Sequence, residues 1–530
     1  MKSLSNRIGQ FTVSQLIVLA LLMCLSAFLI NLGAVAFIGD EAIRSLVAFE
    51  MYKSGDFLVP TLNGEAYYNK PPLYNWLIYA NNLLFGHFGE WPARTTTLIF
   101  LAAFAYTVYH YSRKHFDGLT SATLAFMLVT SGRILFWDSM LGLIDICFSW
   151  VIFLQWMILY HFGKEGSWRR LFIFTYCLFA FAFLLKGLPA LVFHGLSLLA
   201  TLYFFKAVRK KIISADHLLG ILTGLIILLA YYIPYADRVS IHNVFTILFD
   251  QSIQRTGTHH GISKTLLHLV TFPLEQFYHF LPWTILIIPA CSRSFRQQVR
   301  ENQFLRFNLM MVVVNIPVYW ISVQVYPRYL LMFLPVLHLA GYYFTILHPT
   351  RWAEKVKLAL LVMVGLALAA TLLMPVYSKL HTVDCFYLIW FGSSLLIAFC
   401  FLGMCYDKRQ TLLWMCIALL GVRTVFNLVV LPLRQEEFPE NHSRNDIMRA
   451  ASLYKDHPWL IYKETETHQV ARFYTSAYID QIIYKVDSIA DPNAYYLVDR
   501  KLYPTIDMIP IDSILLERGQ VLHLMQPTYY

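Results

Sequence analysis

Residues 71–86 read PPLYNWLIYANNLLFG, and the membrane topology of the whole chain turns on whether this segment crosses a bilayer. It has 16 residues and carries Asn75, Asn81 and Asn82. A span needs about 20 predominantly apolar residues, so length and polarity predict an interfacial or re-entrant helix. Elsewhere, apolar runs of spanning length lie near 11–38, 92–111, 118–136, 141–160, 171–185, 188–205, 217–235, 273–291, 307–324, 329–347, 358–376, 385–405 and 411–432, thirteen in all. Charge bias tests the choice. With 71–86 left out of the count, twenty Lys and Arg fall on one face, including Arg113, Lys114, Lys210, Lys211, Lys408 and Arg409. The short turns of the other face hold about four: Arg133, Lys186, Arg328 and Lys379. Counting 71–86 as a span would move eighteen of the twenty to the wrong face. Short cytoplasmic loops collect Lys and Arg, so the thirteen-span reading stands, with the N-terminus inside and the C-terminus outside.

Composition agrees. Of 530 residues, 58% are hydrophobic and 14% charged, which excludes a soluble globular enzyme. The net charge of +10 sits in short clusters between apolar runs, where it orients a membrane protein, so no nucleic-acid partner is expected. Eight cysteines include Cys24, Cys147, Cys177, Cys400 and Cys416 inside apolar runs, and no C-x-x-C occurs; neither zinc nor a disulfide framework is indicated. The first run is far longer than a signal-peptide core and reads as a retained anchor.

Three outside segments are long enough to carry function: 39–91, 236–272 and the tail 434–530. The inside loops contain no Gly-rich phosphate loop after a strand, so any substrate is met outside or from the lipid. The expected organisation is a membrane domain over 1–433 and a small α/β domain over 434–530. In the tail, helix-like stretches near Asn445–Tyr454 and His468–Ser476 alternate with strand-like ones such as Trp459–Tyr462, Tyr495–Val498 and Val521–Met525.

Chemistry-bearing residues gather on the outside face. Asp40 and Glu41 end the first span, where paired carboxylates suit a general base or a cation, or where Asp40 merely caps the next helix. Lys70 precedes Pro71-Pro72 and so sits before a helix N-terminus, placed for a phosphate or simply snorkelling. Asp138 occupies a tight outside turn, as a functional carboxylate or a turn cap. Lys186 reads as a snorkelling lysine, and Asp145 lies deeper, available to pair with a neighbouring helix. Arg255 in the second long loop offers forked donors to a phosphate, whereas the adjacent His259 and His260 are poorly spaced for zinc. Arg328 begins another helix on the same face.

Gly39-Asp40-Glu41, the run Glu50-Met51-Tyr52-Lys53-Ser54-Gly55-Asp56-Phe57-Leu58-Val59-Pro60, and Tyr68-Asn69-Lys70-Pro71-Pro72-Leu73-Tyr74-Asn75-Trp76 together resemble the aminoarabinose-transferase and protein O-mannosyltransferase-like glycosyltransferases of the GT-C superfamily. The family shows Trp where Phe57 stands, and Asn75 is inserted before Trp76. Leu184-Leu185-Lys186-Gly187-Leu188-Pro189, Leu281-Pro282-Trp283 and Pro327-Arg328-Tyr329 extend the likeness, which spans most of 11–350. The tail matches only in general character.

The resemblance implies a polytopic α-helical GT-C fold with about thirteen transmembrane helices and interfacial helices in the first outside loop. It implies an inverting transferase that moves a sugar from a polyprenyl-phosphate donor to a lipid or protein hydroxyl on the periplasmic side of a bacterial inner membrane. Carried over, Asp40 is the base, Glu41 its support, Asp138 a part of the donor or acceptor site, and Lys70, Arg255 and Arg328 the phosphate ligands. No cofactor is required, although Asp40, Glu41 and Asp138 together could hold a divalent cation. The alternative is a lipid-sugar flippase or secondary transporter, which would instead place its site near the midplane between paired repeats.

Overall fold

The structure is a computed structural model and describes residues 11–528, apart from 241, 244, 245, 248, 249, 251–261, 291–294 and 490. Arg255, His259 and His260 therefore lie outside the described residues, as do Lys2, Arg7 and Arg293 of the charge count. The helices that position the site are α1 Val13–Leu29, α2 Asp40–Ser54, α3 Leu73–Phe85, α4 Glu90–Ser112, α5 Gly118–Val129, α6 Ile144–Glu165, α7 Trp168–Lys186 and α8 Leu188–Phe204. Two more, α9 Pro439–Tyr454 and α10 Gln469–Ile479, belong to the tail.

Among the described residues, seven helices are long and apolar enough to cross a membrane, or eight if α5 and Gly132–Met140, bent by 53°, count as one broken span. This is an integral membrane architecture. The expected count of thirteen is not confirmed by helix length and composition, and the differences are local. Helices α1 and α8 have only 17 residues each. The 273–291 run is not one helix: Ile262–His279 ends before Pro282, and short turns follow at Trp283–Leu286 and Ile287–Ala290. The 307–324 run breaks where Pro317 cannot continue Gln303–Asn315. Helices α6 and Pro327–Leu347 bury most of their side chains inside the protein, whereas Ala353–Val376 and Phe386–Tyr406 bury few. The first two are the centre of the bundle, and the last two present apolar surface outward.

Segment 71–86 folds as read, into a helix of 13 residues that stops at the left-handed Gly86. Its asparagines turn inward. Asn75, Asn81 and Asn82 are buried, and Asn81 donates to the Pro92 carbonyl at 2.5 Å, while Leu83 and Leu84 at the tip stay exposed. The helix thus turns its amides into the protein and leaves its apolar tip on the surface.

The tail is α/β, as the alternation of its stretches predicts. A five-stranded sheet runs in the order β4-β3-β5-β7-β6, with β3 Trp459–Tyr462, β4 Lys485–Val486, β5 Tyr495–Val498, β6 Met508–Leu515 and β7 Val521–Pro527. Strand β3 pairs in parallel with β4 and β5, and β7 pairs antiparallel with β5 and β6. The tail is anchored to the first loop. Tyr474 of α10 donates to Glu90 at 2.6 Å and accepts from the Phe37 amide at 2.8 Å, Arg444 of α9 pairs with Glu90 at 2.8 Å, and Asn441 accepts from the Ala36 amide at 2.6 Å.

Between them lies the hairpin of β1 Thr61–Leu62 and β2 Glu65–Ala66. Its tip is clasped by Glu50 of α2, which is fully buried and accepts from the Asn63 amide at 2.6 Å and the Gly64 amide at 3.1 Å. Burial pushes the Glu50 carboxyl above its usual range, and these hydrogen bonds work against that rise. Gly64 has φ +77 and sits against the Tyr484 ring, so both conformation and space demand glycine there.

Candidate active site

A cavity of about 400 Å³ opens where the start of α2, the 67–70 loop, the start of α6, the end of α7, the 324–329 turn and the start of α10 converge. Asp40, Asp145 and Lys186 arrive at helix ends suited to their charge. Gly39, at φ +57, turns the chain into α2 so that Asp40 and Glu41 fill the first helical turn, the end that favours anions. Asp145 is likewise in the first turn of α6, and Lys186 is the last residue of α7, the end that favours cations.

These groups form a chain of ion pairs. Asp145 accepts from Lys186 at 2.6 Å on one oxygen and pairs with Arg328 at 3.2 Å on the other. Arg328 reaches on to Asp40 at 3.0 Å. Lys186 also stands 3.9 Å from the Tyr329 ring centroid, within cation–π range. Asp40 is the exposed end of the chain, with 55% of its side chain accessible against 10% for Asp145. Arg44, one helical turn after Asp40, donates to the Tyr67 hydroxyl at 2.7 Å, and its Nη1 is buried without a hydrogen-bond partner among the described residues. Lys70 completes the lining, with its ammonium 2.8 Å from the Asn69 carbonyl. Arg44, Lys70, Lys186 and Arg328 thus face Asp40 and Asp145, four cations against two carboxylates. Such a cavity favours an anion.

Of the residues singled out from sequence, the structure brings Asp40, Lys70 and Arg328 together here. Glu41 stands outside this lining. It has no exposed surface and faces away from the cavity, pairing with buried Arg94 at 2.8 Å and accepting from the Ile38 amide at 2.7 Å and the Gly142 amide at 2.8 Å. Arg94 in turn donates to the carbonyls of Leu32, Val35 and Ala36. The pair rivets the α1–α2 connection to α4 and to the turn before α6.

Asp138 also stands outside the lining, buried against Arg133 at 3.2 Å, although the charges of Asp145 and Arg328 reach it. Asp40, Glu41 and Asp138 do not converge on a cation: each is engaged by a different guanidinium, and no group of three His, Cys, Asp or Glu gathers among the described residues. Lys186 is a correction, because it is buried in an ion pair and does not snorkel. The residues that sequence reading left out of the site are Arg44, Asp145, Lys186 and Gln469, the last contributed by the tail.

Residues 69–234 match the dolichyl-phosphate-mannose-protein mannosyltransferase family. The chain superposes on the crystal structure of ArnT from Cupriavidus metallidurans bound to undecaprenyl phosphate with a TM-score of 0.71, covering 97% of this chain and 98% of that one at 17% identity. Over residues 69–234 the chain is similar to that family, and over nearly its whole length it shares the fold of this ArnT. The apo form of the same ArnT gives a TM-score of 0.69 at 18% identity, covering 96% and 97% of the two chains. A relative from Aquifex aeolicus (strain VF5), described as an uncharacterized protein, is 22% identical over 318 residues. That match spans 59% of this chain and 61% of the relative's length. The family match begins at Asn69, so it takes in Lys70, Asp138, Asp145 and Lys186 and stops short of Asp40 and Arg328.

Proposed function

We propose that this chain transfers a sugar from a polyprenyl-phosphate carrier to a hydroxyl of a lipid or protein acceptor, with inversion at the anomeric carbon. The observation that carries the reading is one accessible carboxylate, Asp40, at the edge of a cavity where four cations, Arg44, Lys70, Lys186 and Arg328, outnumber it and the buried Asp145. The structures it superposes on supply the substrate class: one is ArnT bound to undecaprenyl phosphate.

The chemistry follows from the charges. As the glycosidic C–O bond to the carrier breaks, its phosphate gains negative charge. Cations already fixed in a partly enclosed cavity stabilise that charge more than water does, because they need no reorganisation. Arg44 Nη1 is a donor waiting for an acceptor, and Lys70 adds an ammonium. On the opposite side of the anomeric carbon, Asp40 takes the proton from the attacking hydroxyl. Arg328 holds one Asp40 oxygen at 3.0 Å, which fixes the carboxylate's direction. Asp145 positions Arg328 and Lys186 together and is itself too buried to meet an acceptor.

The setting we assign is the inner membrane, with the N-terminus cytoplasmic and the cavity and tail periplasmic; the distribution of Lys and Arg supports it. A transporter would alternate access around a midplane site. Here the site lies where the tail's Gln469 enters the lining, which favours the transferase. The test is a single-compartment assay in detergent. Purified protein given a radiolabelled polyprenyl-phosphate sugar and membrane-extracted acceptors should move label to the acceptor. Vectorial movement of intact carrier in vesicles, without bond cleavage, would overturn the reading.

A further inference from the structure

The connector between α1 and α2, residues 30–39, leads straight into Asp40 and belongs to no helix or strand. Its backbone groups must find partners elsewhere. They find them in side chains. Arg94 takes the carbonyls of Leu32, Val35 and Ala36. Three consecutive amides are then taken one by one: Ala36 by Asn441 at 2.6 Å, Phe37 by the Tyr474 hydroxyl at 2.8 Å, and Ile38 by Glu41 at 2.7 Å. Gly39 follows at φ +57, and Asp40 opens α2.

Asn441 and Tyr474 both belong to the tail, 405 and 437 residues further along the chain than the amides they hold. The fold fixes each of them. Asn441 is 1% exposed and donates its amide to the Gln435 carbonyl at 2.6 Å, which turns its oxygen toward Ala36. Tyr474 is 2% exposed and donates its proton to Glu90 at 2.6 Å, which leaves its oxygen as the acceptor for Phe37. The fully buried Phe37 ring stands edge-on to Phe473, with centroids 4.7 Å apart. The helix that carries Phe473 and Tyr474 also reaches the cavity, because Gln469, the first residue of α10, enters its lining.

Beyond its first turn α2 has other supports. Arg44 meets Tyr67, Glu50 clasps the hairpin, and Lys53 pairs with Asp480. Releasing the connector therefore frees Asp40 and leaves the rest of the helix held. A general base works only within hydrogen-bond reach of the proton it takes, and misplacement by about 1 Å can slow a reaction about 10²-fold.

We infer that Asn441 and Tyr474 are positioning residues for the transfer reaction: through the amides of Ala36 and Phe37 they set where the Asp40 carboxylate stands. The tail is then a working part of the catalytic centre, a role that rests on the transferase reading given above. Neither residue lines the cavity, so each acts through the backbone it holds.

The experiment uses the full chain in lipid nanodiscs and compares the wild type with Tyr474→Phe, Asn441→Ala and Arg444→Gln. Arg444→Gln is the control, since it breaks the tail's pair with the same Glu90 and leaves the 36–38 amides untouched. Transfer per folded molecule, affinity for undecaprenyl phosphate, and amide exchange across 30–45 by mass spectrometry are measured on each. Tyr474→Phe should quicken exchange at Phe37, and Asn441→Ala at Ala36, by about ten-fold, the loss of one hydrogen bond. In both variants kcat should fall by about ten-fold or more while carrier affinity stays at the wild-type level. Arg444→Gln should keep wild-type exchange at 36–38 and wild-type kcat. If Asn441→Ala fails to fold, Tyr474→Phe decides alone. Unchanged exchange at Phe37, an unchanged kcat despite quickened exchange, carrier affinity lost in step with kcat, or an equal fall of kcat in Arg444→Gln would overturn the positioning role. Carrier binding without any transfer by the wild type would strike the transferase reading instead.

Discussion

The adjacent acids Asp40 and Glu41 are assigned opposite roles, and replacing Glu41 separates them. Glu41→Gln keeps the side-chain shape and removes the charge that faces Arg94, which is 1% exposed. Arg94 keeps its bonds to the carbonyls of Leu32, Val35 and Ala36, but its guanidinium becomes a buried cation without a counter-ion. Removing one partner of a buried pair costs about 3–5 kcal/mol, which raises the unfolded fraction by roughly 10²–10⁴. The double variant Glu41→Gln with Arg94→Met removes both charges and should recover part of that loss, because no uncompensated ion remains. Reversible unfolding in mixed detergent micelles measures both, and transfer per folded molecule is measured alongside. The expected result is an unstable single variant whose folded fraction retains most of its turnover. A Glu41→Gln protein as stable as wild type but slower by about 10² or more would refute the reasoning and make Glu41 a reacting group.

Asp145→Asn should loosen Lys186 and Arg328 together and lower transfer more than either Lys186→Met or Arg328→Gln alone, read as kcat/KM for the donor. Lys70→Ala should weaken undecaprenyl phosphate binding by about ten-fold, one charge-assisted hydrogen bond, with the unfolding midpoint unchanged. Gly64→Ala should loosen the tail from the first loop, since an added Cβ at φ +77 overlaps the Tyr484 ring, and limited proteolysis between 434 and 460 would report it. Lys53→Met breaks a pair with Asp480 in which the aspartate side chain is 72% exposed, and should change stability by no more than about 1 kcal/mol.

Much of this was legible in the sequence because lipid imposes strict rules. Length and polarity alone made 71–86 a short interfacial helix, and the Lys and Arg distribution put Asp40, Lys70 and Arg328 on one face, where the structure joins them in one cavity. The assignment of Glu41 beside Asp40 ignored a signal that was present. Consecutive helical residues point about 100° apart, and here that offset leaves Asp40 in the lining and Glu41 outside it. The 273–291 and 307–324 runs are broken beside Pro282 and Pro317, a breaker signal present in the sequence. Other features left no local trace. Asp145 finds Lys186 and Arg328 41 and 183 residues away, and Gln469 reaches the cavity from the tail; such meetings are made by packing, which no single stretch encodes.

Sugar transfer by purified Asp40→Asn, measured beside its affinity for undecaprenyl phosphate, tests the central claim most directly. Loss of the base with the cationic wall intact should leave carrier binding at the wild-type level and slow transfer by about 10²–10⁴. Near-wild-type transfer by the same protein would contradict the account.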